Sequence, residues 1–270
     1  MNQRTTNAGA ARHNREAWDQ LAKHQQRFTR AAKDEEFRDP LSILDGNGWL
    51  GGNIHGKNLL CLAAGGGRQA PLYAAAGARV TVVDVSPDQL ELDREVAAER
   101  GLDIRTVETS MDQLNMFQQG EFDLVIHPVS SCYIPELQPV YQHVARVTAP
   151  GGLYISQHKQ PGSLQATVKP QENGYVLDEP YYREGPLPGV VGSLHREEGT
   201  LEFLHRWEQL LGEMCRAGFA IEDLTEPCHA HADSATGTFG HRSIYVAPYV
   251  RIKARRQLTT DSSAQVWTPT

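Results

Sequence analysis

The sequence predicts an α/β protein with a doubly wound sheet that is mostly parallel, has an antiparallel last strand and carries helices on both faces. Between residues 58 and 158, short β-branched or apolar runs alternate with amphipathic segments. Alternation of this kind is typical of parallel strands joined by right-handed helical crossovers. The chain has 270 residues and is 40% apolar, which is enough to build a substantial core.

Five short runs predict the parallel strands. They are expected at 59–63, 79–84, 104–107, 122–127 and 153–157. After the second run, Ser86 is the expected N-cap of a helix, Pro87 takes its first position, Gln89 completes a capping box and Gly101 ends it. The connections therefore predict helices between the strands.

The later part of the chain has a different pattern. Residues 159–200 are rich in glycine and proline and show no sustained period, which predicts an insertion that helps to bind substrate. A helix is expected over 201–219, followed by strands at 219–224 and near 249–254.

Both ends of the chain are polar and aperiodic. We expect residues 1–12 and 259–270 to be disordered and residues 13–258 to form one domain.

Composition excludes several classes of function. The net charge of -7 argues against a broad nucleic-acid interface, which needs clustered Lys and Arg. No apolar run is long enough to predict a membrane span or a secretory signal, so a cytoplasmic protein is expected. The four cysteines show no C-x-x-C spacing, so neither a zinc site nor a disulfide framework is predicted. These observations favour small-molecule chemistry.

A glycine triplet, Gly65 to Gly67, occupies the turn after the first strand, and Asp84 ends the second strand. In a parallel sheet this turn is where a nucleotide is usually held, and a carboxylate at the neighbouring strand end can accept both hydrogen bonds of a ribose diol. Gly65, Gly67 and Ala70 also satisfy the dinucleotide pattern G-x-G-x-x-A. The turn therefore predicts a nucleoside site, but the chain leaves little room for the second half of a dinucleotide fold.

Several segments resemble the class I S-adenosylmethionine-dependent methyltransferases, which have a Rossmann-like fold. The resemblance covers roughly residues 14–256 and is sharpest over 58–158. It is carried by NREAWDQLA, NLLCLAAGGG, VTVVDVSPDQL, FDLVIHPVSSCY and VTAPGGLYIS. It implies S-adenosylmethionine as cofactor, an N-terminal helix folded over that cofactor, and methyl transfer by in-line displacement.

The resemblance also implies a set of cofactor-binding residues. Ala63, Gly65 and Gly67 would back the methionine part, and Asp84 would bind the ribose. The adenine would lie beside Val85, Ser110 and Met111, and His127 matches the residue that ends the fourth strand.

This chain departs from the family pattern at three places. Cys61 replaces the acid of the first motif, Ala63 and Ala64 replace its first glycine and the neighbour, and Ser110 replaces an acid often found at the adenine loop.

Candidate catalytic residues are histidines at strand ends. A general base is needed only when the methyl acceptor holds a proton, and His127 and His158 both end core strands on the ligand side of the sheet. Candidate substrate residues are aromatic rings, which could stack on a cationic acceptor, and histidines of the C-terminal loop. They are Tyr133, Tyr181, Tyr182, His231 and His241.

Two further groups are interpreted as structural. Cys228 with His229, His231 and His241 could suggest a metal site, but no Asp or Glu at ligand spacing supports it, so no metal is expected. The alternating basic residues 251, 253 and 255 are interpreted as a solvated strand face.

The prediction is a methyltransferase that acts on a small molecule. The alternatives are an NAD(P)-dependent oxidoreductase, a methyltransferase acting on protein or RNA, which the acidic balance opposes, and a non-catalytic nucleotide-binding module. The acceptor, the acceptor atom and the oligomeric state are not determined by the sequence.

Overall fold

The computed structural model describes residues 5–24, 29–172 and 174–258, in which seven strands form one sheet of order β3-β2-β1-β4-β5-β7-β6. In this part of the chain β7 pairs antiparallel with both β5 and β6, and the other pairs are parallel. The predicted fold class is confirmed. The strands are β1 Asn58–Leu62, β2 Arg79–Asp84, β3 Ile104–Glu108, β4 Phe122–His127, β5 Thr148–Lys159, β6 Phe219–Thr225 and β7 Tyr249–Arg256.

Helices cover both faces of this sheet. They are α1 Asn7–Lys23, α2 Pro40–Leu44, α3 Gln69–Ala75, α4 Pro87–Arg100, α5 Gln138–Val147, α6 Pro161–Gln165, α7 Glu213–Arg216 and α8 Phe239–Tyr245. Within the described residues no helix combines the length and apolarity that crossing a membrane requires.

Successive side chains of each strand point to opposite faces of the sheet, so the core has two halves. Leu60, Leu62 and Val125 face α5, whereas Leu59 and Cys61 face α3. All five are buried, as expected for parallel strands covered on both sides.

The first helix begins earlier than the sequence indicated. The prediction of disorder is wrong for residues 7–12, because Thr6 caps α1 by accepting a hydrogen bond from the N–H of Gly9 and because Ala10 is fully buried. The expected C-terminal disorder at 259–270 lies outside the described residues.

The fifth strand is longer than predicted. Thr148 already pairs with Phe122, and a bulge follows before the regular register at Leu153. Gly152 is required here because a Cβ would lie 2.9 Å from the carbonyl oxygen of Asp123 on the neighbouring strand.

The helix predicted over 201–219 is shorter than expected. It begins at Trp207, has one π-helical turn and ends at Arg216. Residues 201–206 stay extended because their backbone groups bind other segments. The N–H of Phe203 donates to the carbonyl of Cys132, and the carbonyl of Glu202 accepts the N–H of Leu187.

One arginine connects the predicted insertion to α8. Arg242 of α8 is 1% exposed, and its guanidinium donates to the carbonyl oxygens of Ser163, Ala166 and Thr167 at 2.6–3.0 Å. The first residues of the insertion are thereby held against the segment that precedes β7.

Candidate functional site

The glycine turn is held by two carboxylates. Oδ2 of Asp84 accepts the N–H of Gly65 at 2.9 Å. The carboxylate of Asp93, which is fully buried on α4, accepts the N–H of Gly66 at 3.2 Å and that of Gly67 at 3.1 Å. No sequence pattern indicated Asp93, because its role depends on how α4 packs against a turn 26 residues earlier.

The first and third glycines are required by close packing. A Cβ on Gly65 would lie 2.7 Å from Cβ of Gln89 and 3.2 Å from Oδ2 of Asp84. Gly67 has φ +72, and a Cβ there would lie 2.9 Å from the carbonyl oxygen of Leu92. Two glycines of the triplet thus approach β2 and α4 of the protein itself.

The hydrogen bonding of this turn argues against a dinucleotide. A diphosphate needs free N–H groups at the glycine turn, whereas those of Gly66 and Gly67 bind Asp93. Burial raises the pKa of Asp84, although the hydrogen bonds from the N–H groups of Ser86 and Gly65 act to lower it. Burial and the nearby Asp84 carboxylate raise the pKa of Asp93 to about 8. The turn therefore suits a ligand that donates hydrogen bonds to Asp84 rather than a diphosphate that would accept them from the glycine N–H groups.

A cavity of about 640 Å³ opens at the carboxyl ends of the parallel strands, beside this turn. It is lined by eight of the residues that the sequence predicted for the site: Ala63, Gly65, Asp84, Val85, Ser110, Met111, His127 and Tyr133. Gly67 is not part of the lining, since it lies behind the turn against α4.

Gln89 presents an unused amide to this cavity. Ser86 caps α4 by accepting the N–H of Gln89, but the second half of the predicted capping box is absent, because the N–H of Ser86 donates to Asp84. The side-chain amide of Gln89 is buried, and neither its nitrogen nor its oxygen has a partner among the described residues. A donor and an acceptor thus lie beside Asp84, which fits a nucleoside with a ribose diol.

The two candidate catalytic histidines differ in position. Nδ1 of His127 lies 2.7 Å from the hydroxyl of Tyr154, and Nε2, on a ring that lines the cavity, has no partner in the described residues. Burial lowers the pKa of His127 to about 3, so the ring is neutral. His158 is outside the cavity lining, and its nitrogens lie 2.7 and 2.8 Å from the hydroxyls of Ser131 and Ser156.

Helix α1 forms one wall of the cavity, as the resemblance implied. The side-chain amide of Asn14 donates to the carbonyl of Tyr133 and accepts the N–H of Leu201. The ring of Trp18 meets that of Tyr133 edge to face at 5.5 Å between centroids. Asn14, Trp18 and Tyr133 all line the cavity.

A buried ionic cluster supports the same wall through Tyr133. Nζ of Lys159 donates to Glu197 at 2.8 Å and to Glu202 at 2.9 Å, and the hydroxyl of Tyr133 donates to the same Glu197 oxygen at 2.6 Å. Although burial opposes ionisation, Lys159 lowers the pKa of Glu197. Glu197, from the predicted insertion, therefore presents an ionised carboxylate to the cavity.

Four of the predicted substrate residues lie elsewhere. Tyr181 packs against a small cluster under the insertion, Tyr182 is 75% exposed, His231 is exposed, and His241 is bonded to the hydroxyl of Tyr175. None of the four lines the cavity.

Several lining residues were not predicted as site residues. The end of the cavity near β7 is formed by residues from separate segments: Asp45, Gln157, Glu197, His229, Phe239, Tyr249 and Arg251. The prediction that residues 251, 253 and 255 form a solvated strand face is thus wrong for Arg251. Among the described residues, no group of three His, Cys, Asp or Glu side chains is placed to hold a metal ion.

A sheet of this order, with a cavity beside a glycine turn that suits a nucleoside, is the architecture of a methyltransferase-like α/β protein, and comparisons with known proteins agree. The family described as "Methyltransferase domain" matches residues 60–156. The uncharacterized methyltransferase YbaJ of Bacillus subtilis is 37% identical over 177 residues, which are 64% of this chain and 69% of that protein.

Two further similarities concern a relative and the fold. An uncharacterized protein of Mycobacterium tuberculosis H37Rv is 33% identical over 54% of this chain, which spans 57% of that relative. The crystal structure of an S-adenosylmethionine-dependent methyltransferase from Mesorhizobium loti superposes with a TM-score of 0.59 at 21% identity, over 76% of this chain and 93% of that one. The chain belongs to the class I S-adenosylmethionine-dependent methyltransferases.

Proposed function

We propose that this methyltransferase transfers the methyl group of S-adenosylmethionine to a small molecule bound in the same cavity. The observation that carries the proposal is the cavity itself, which runs from the glycine turn to the insertion and β7. Its volume of about 640 Å³ is of the size that encloses small ligands. The acidic charge of the chain supports a small acceptor over RNA.

In this proposal the cofactor occupies the end of the cavity near β2. Asp84 accepts hydrogen bonds from the ribose, and the amide of Gln89 lies beside it. Val85, Ser110 and Met111 flank the adenine, and the methionine part lies against Ala63 and Gly65. When bound, S-adenosylmethionine supplies a methyl group on a sulfonium, whose charge is compatible with the carboxylates at the turn.

The chain contributes mainly by positioning the acceptor. In-line displacement depends on aligning the nucleophile with the methyl carbon in a site that excludes water. The ring of His127 is neutral, and its Nε2 has no partner among the described residues; with a pKa of about 3 the ring is a weak base. Tyr133 is held by Glu197 and forms part of the wall that covers the acceptor.

Calorimetric titration with S-adenosylhomocysteine tests the cofactor site, with NADH as the control ligand. Micromolar binding of the first and none of the second is expected. Incubation with S-adenosylmethionine and a panel of small acceptors then tests catalysis by the release of S-adenosylhomocysteine. Failure to bind S-adenosylhomocysteine would contradict the proposal, and binding without transfer to any acceptor would favour a non-catalytic module.

A further inference from the structure

The guanidinium of Arg251 lies at the cavity because β7 runs antiparallel to β5. Because β7 is antiparallel to β5, it starts at the edge where the parallel strands end, and Tyr249 and Arg251 line the cavity there. Nε of Arg251 donates to Oε1 of Gln157 at 2.7 Å. The terminal nitrogens of the guanidinium make no hydrogen bond or ion pair with residues 5–24, 29–172 or 174–258.

The neighbouring basic residues on β7 are paired. Nζ of Lys253 lies 3.2 Å from Glu222, and Arg255 binds the same carboxylate. Arg251 thus differs from the next two residues on its own face of the strand, since it faces a cavity and is oriented by a neutral amide.

The acidic residues that line the cavity are already engaged. Asp45 accepts the N–H groups of Trp49 and Leu50 at 2.7 and 2.9 Å. Asp84 accepts backbone N–H groups as described above, and Glu197 binds Lys159 and Tyr133.

Two other arginines line the cavity. Arg68 pairs with Glu36 at 2.5 Å, and Arg30 is exposed to solvent. Arg251 is therefore a half-buried cation, oriented toward the cavity, without a counter-ion in the described part of the chain. A planar guanidinium in this state is suited to bind a carboxylate or a phosphate through two parallel hydrogen bonds.

An aromatic cluster adjoins this cation. The rings of His229, Phe239 and Tyr249 pack with centroids 5.4–6.3 Å apart, and all three line the cavity. They offer an apolar wall for a flat ligand.

The sheet places Arg251 two strands away from His127. β5 lies between β4 and β7, and neighbouring strands are about 4.8 Å apart, so the strand of Arg251 is about 10 Å from the strand that ends at His127.

We propose that the methyl acceptor carries an anionic oxygen group, a carboxylate or a phosphate, which Arg251 binds at the β7 end of the cavity. The body of the acceptor lies against the aromatic cluster. This inference rests on the proposed function, because it assigns the β7 end of the cavity to the acceptor and the β2 end to the cofactor.

The test uses full-length protein saturated with S-adenosylhomocysteine and titrated with benzoate, phenyl phosphate and benzamide. We expect benzoate or phenyl phosphate to bind about tenfold or more tightly than neutral benzamide, and the tighter of the two to identify the anionic group. R251Q should abolish this preference, and R251K should retain part of it. K253Q is the matched control, on the same strand face, and should leave the preference unchanged.

The outcomes separate this inference from the proposed function. If the protein binds S-adenosylhomocysteine but shows no preference for the anionic probes, or keeps the preference in R251Q, the inference about Arg251 is overturned and the proposed function is not. If R251Q instead weakens S-adenosylhomocysteine about tenfold, Arg251 serves the cofactor and the inference is also overturned. Absence of S-adenosylhomocysteine binding by the wild type overturns both. A thermal melt confirms that each variant is folded.

Discussion

The carboxylate of Asp84 ties the end of β2 to the turn after β1, since its Oδ2 accepts the N–H of Gly65 at 2.9 Å. Its Oδ1 accepts the N–H of Ser86 at 3.0 Å, where α4 begins. The side chain is therefore held in place before any ligand binds. A carboxylate fixed in this way loses little conformational entropy when it accepts hydrogen bonds from the hydroxyls of a ribose.

Replacing Asp84 by Ala should weaken binding of S-adenosylhomocysteine by about 1–3 kcal/mol, because a charged acceptor for the ribose is lost. Calorimetric titration measures the change. Asp103→Ala, in the exposed loop before β3, is the control and should bind normally. An unchanged affinity in the Asp84 variant would place the ribose elsewhere.

Ala63 is strained in a position that favours glycine. It has φ +48, whereas the neighbouring Ala64 does not have positive φ. Ala63→Gly should raise the free energy of unfolding by about 0.5–1 kcal/mol, because the steric cost of the left-handed conformation is relieved. Ala64→Gly should lower it by about 1 kcal/mol, through chain entropy and lost packing. Urea unfolding of both variants tests this, and equal effects in the two would refute it.

Gly67 is restricted by packing as well as by its backbone. Gly67→Ala should destabilise the fold more than Gly101→Ala, although both have positive φ. A Cβ at Gly101 meets nothing within 4 Å, so only the backbone strain of about 1 kcal/mol is expected there. At Gly67 the carbonyl of Leu92 adds a clash, and the loss should exceed that value. Comparable losses in urea unfolding would contradict this account.

Buried histidines should make the protein sensitive to acid. Burial lowers the pKa of His205 to about 4, whereas an unfolded histidine titrates near about 6.5. The unfolded chain therefore binds more protons between these values. Stability from this residue is fully present above about pH 6.5 and falls by about 1.4 kcal/mol per pH unit as the pH drops toward 4.

The variant His205→Gln should remove this contribution to the pH dependence of the free energy of unfolding. An amide nitrogen can still donate to the carbonyls of Ser131 and Ile134, but it does not titrate. The measurement is the free energy of unfolding at several pH values between 6 and 4.5. His231→Gln, at an exposed position, serves as the control. Parallel curves for His205→Gln and wild type would show that His205 does not contribute.

The glycine turn, the place of Asp84 at a strand end and the positions of the strands were predictable because each depends on residues close in sequence. A β-branched run such as 79–84 forms a strand from its own pattern, and a glycine turn at its neighbour's end implies a nucleoside site. The helix over 201–219 was mispredicted because its apolar spacing gave no sign that Phe203 binds the backbone of Cys132.

The sequence by itself thus determined the α/β fold, the position of the glycine turn and the approximate place of the insertion. The tertiary structure decided that Asp93 supports the glycines, that Gln89 faces the cavity and that Arg251, rather than His231 or His241, stands at its far end. These residues lie on segments that meet only when the sheet is assembled. Local patterns record which face of an element is apolar, but the partner of each polar side chain depends on packing between distant parts of the chain.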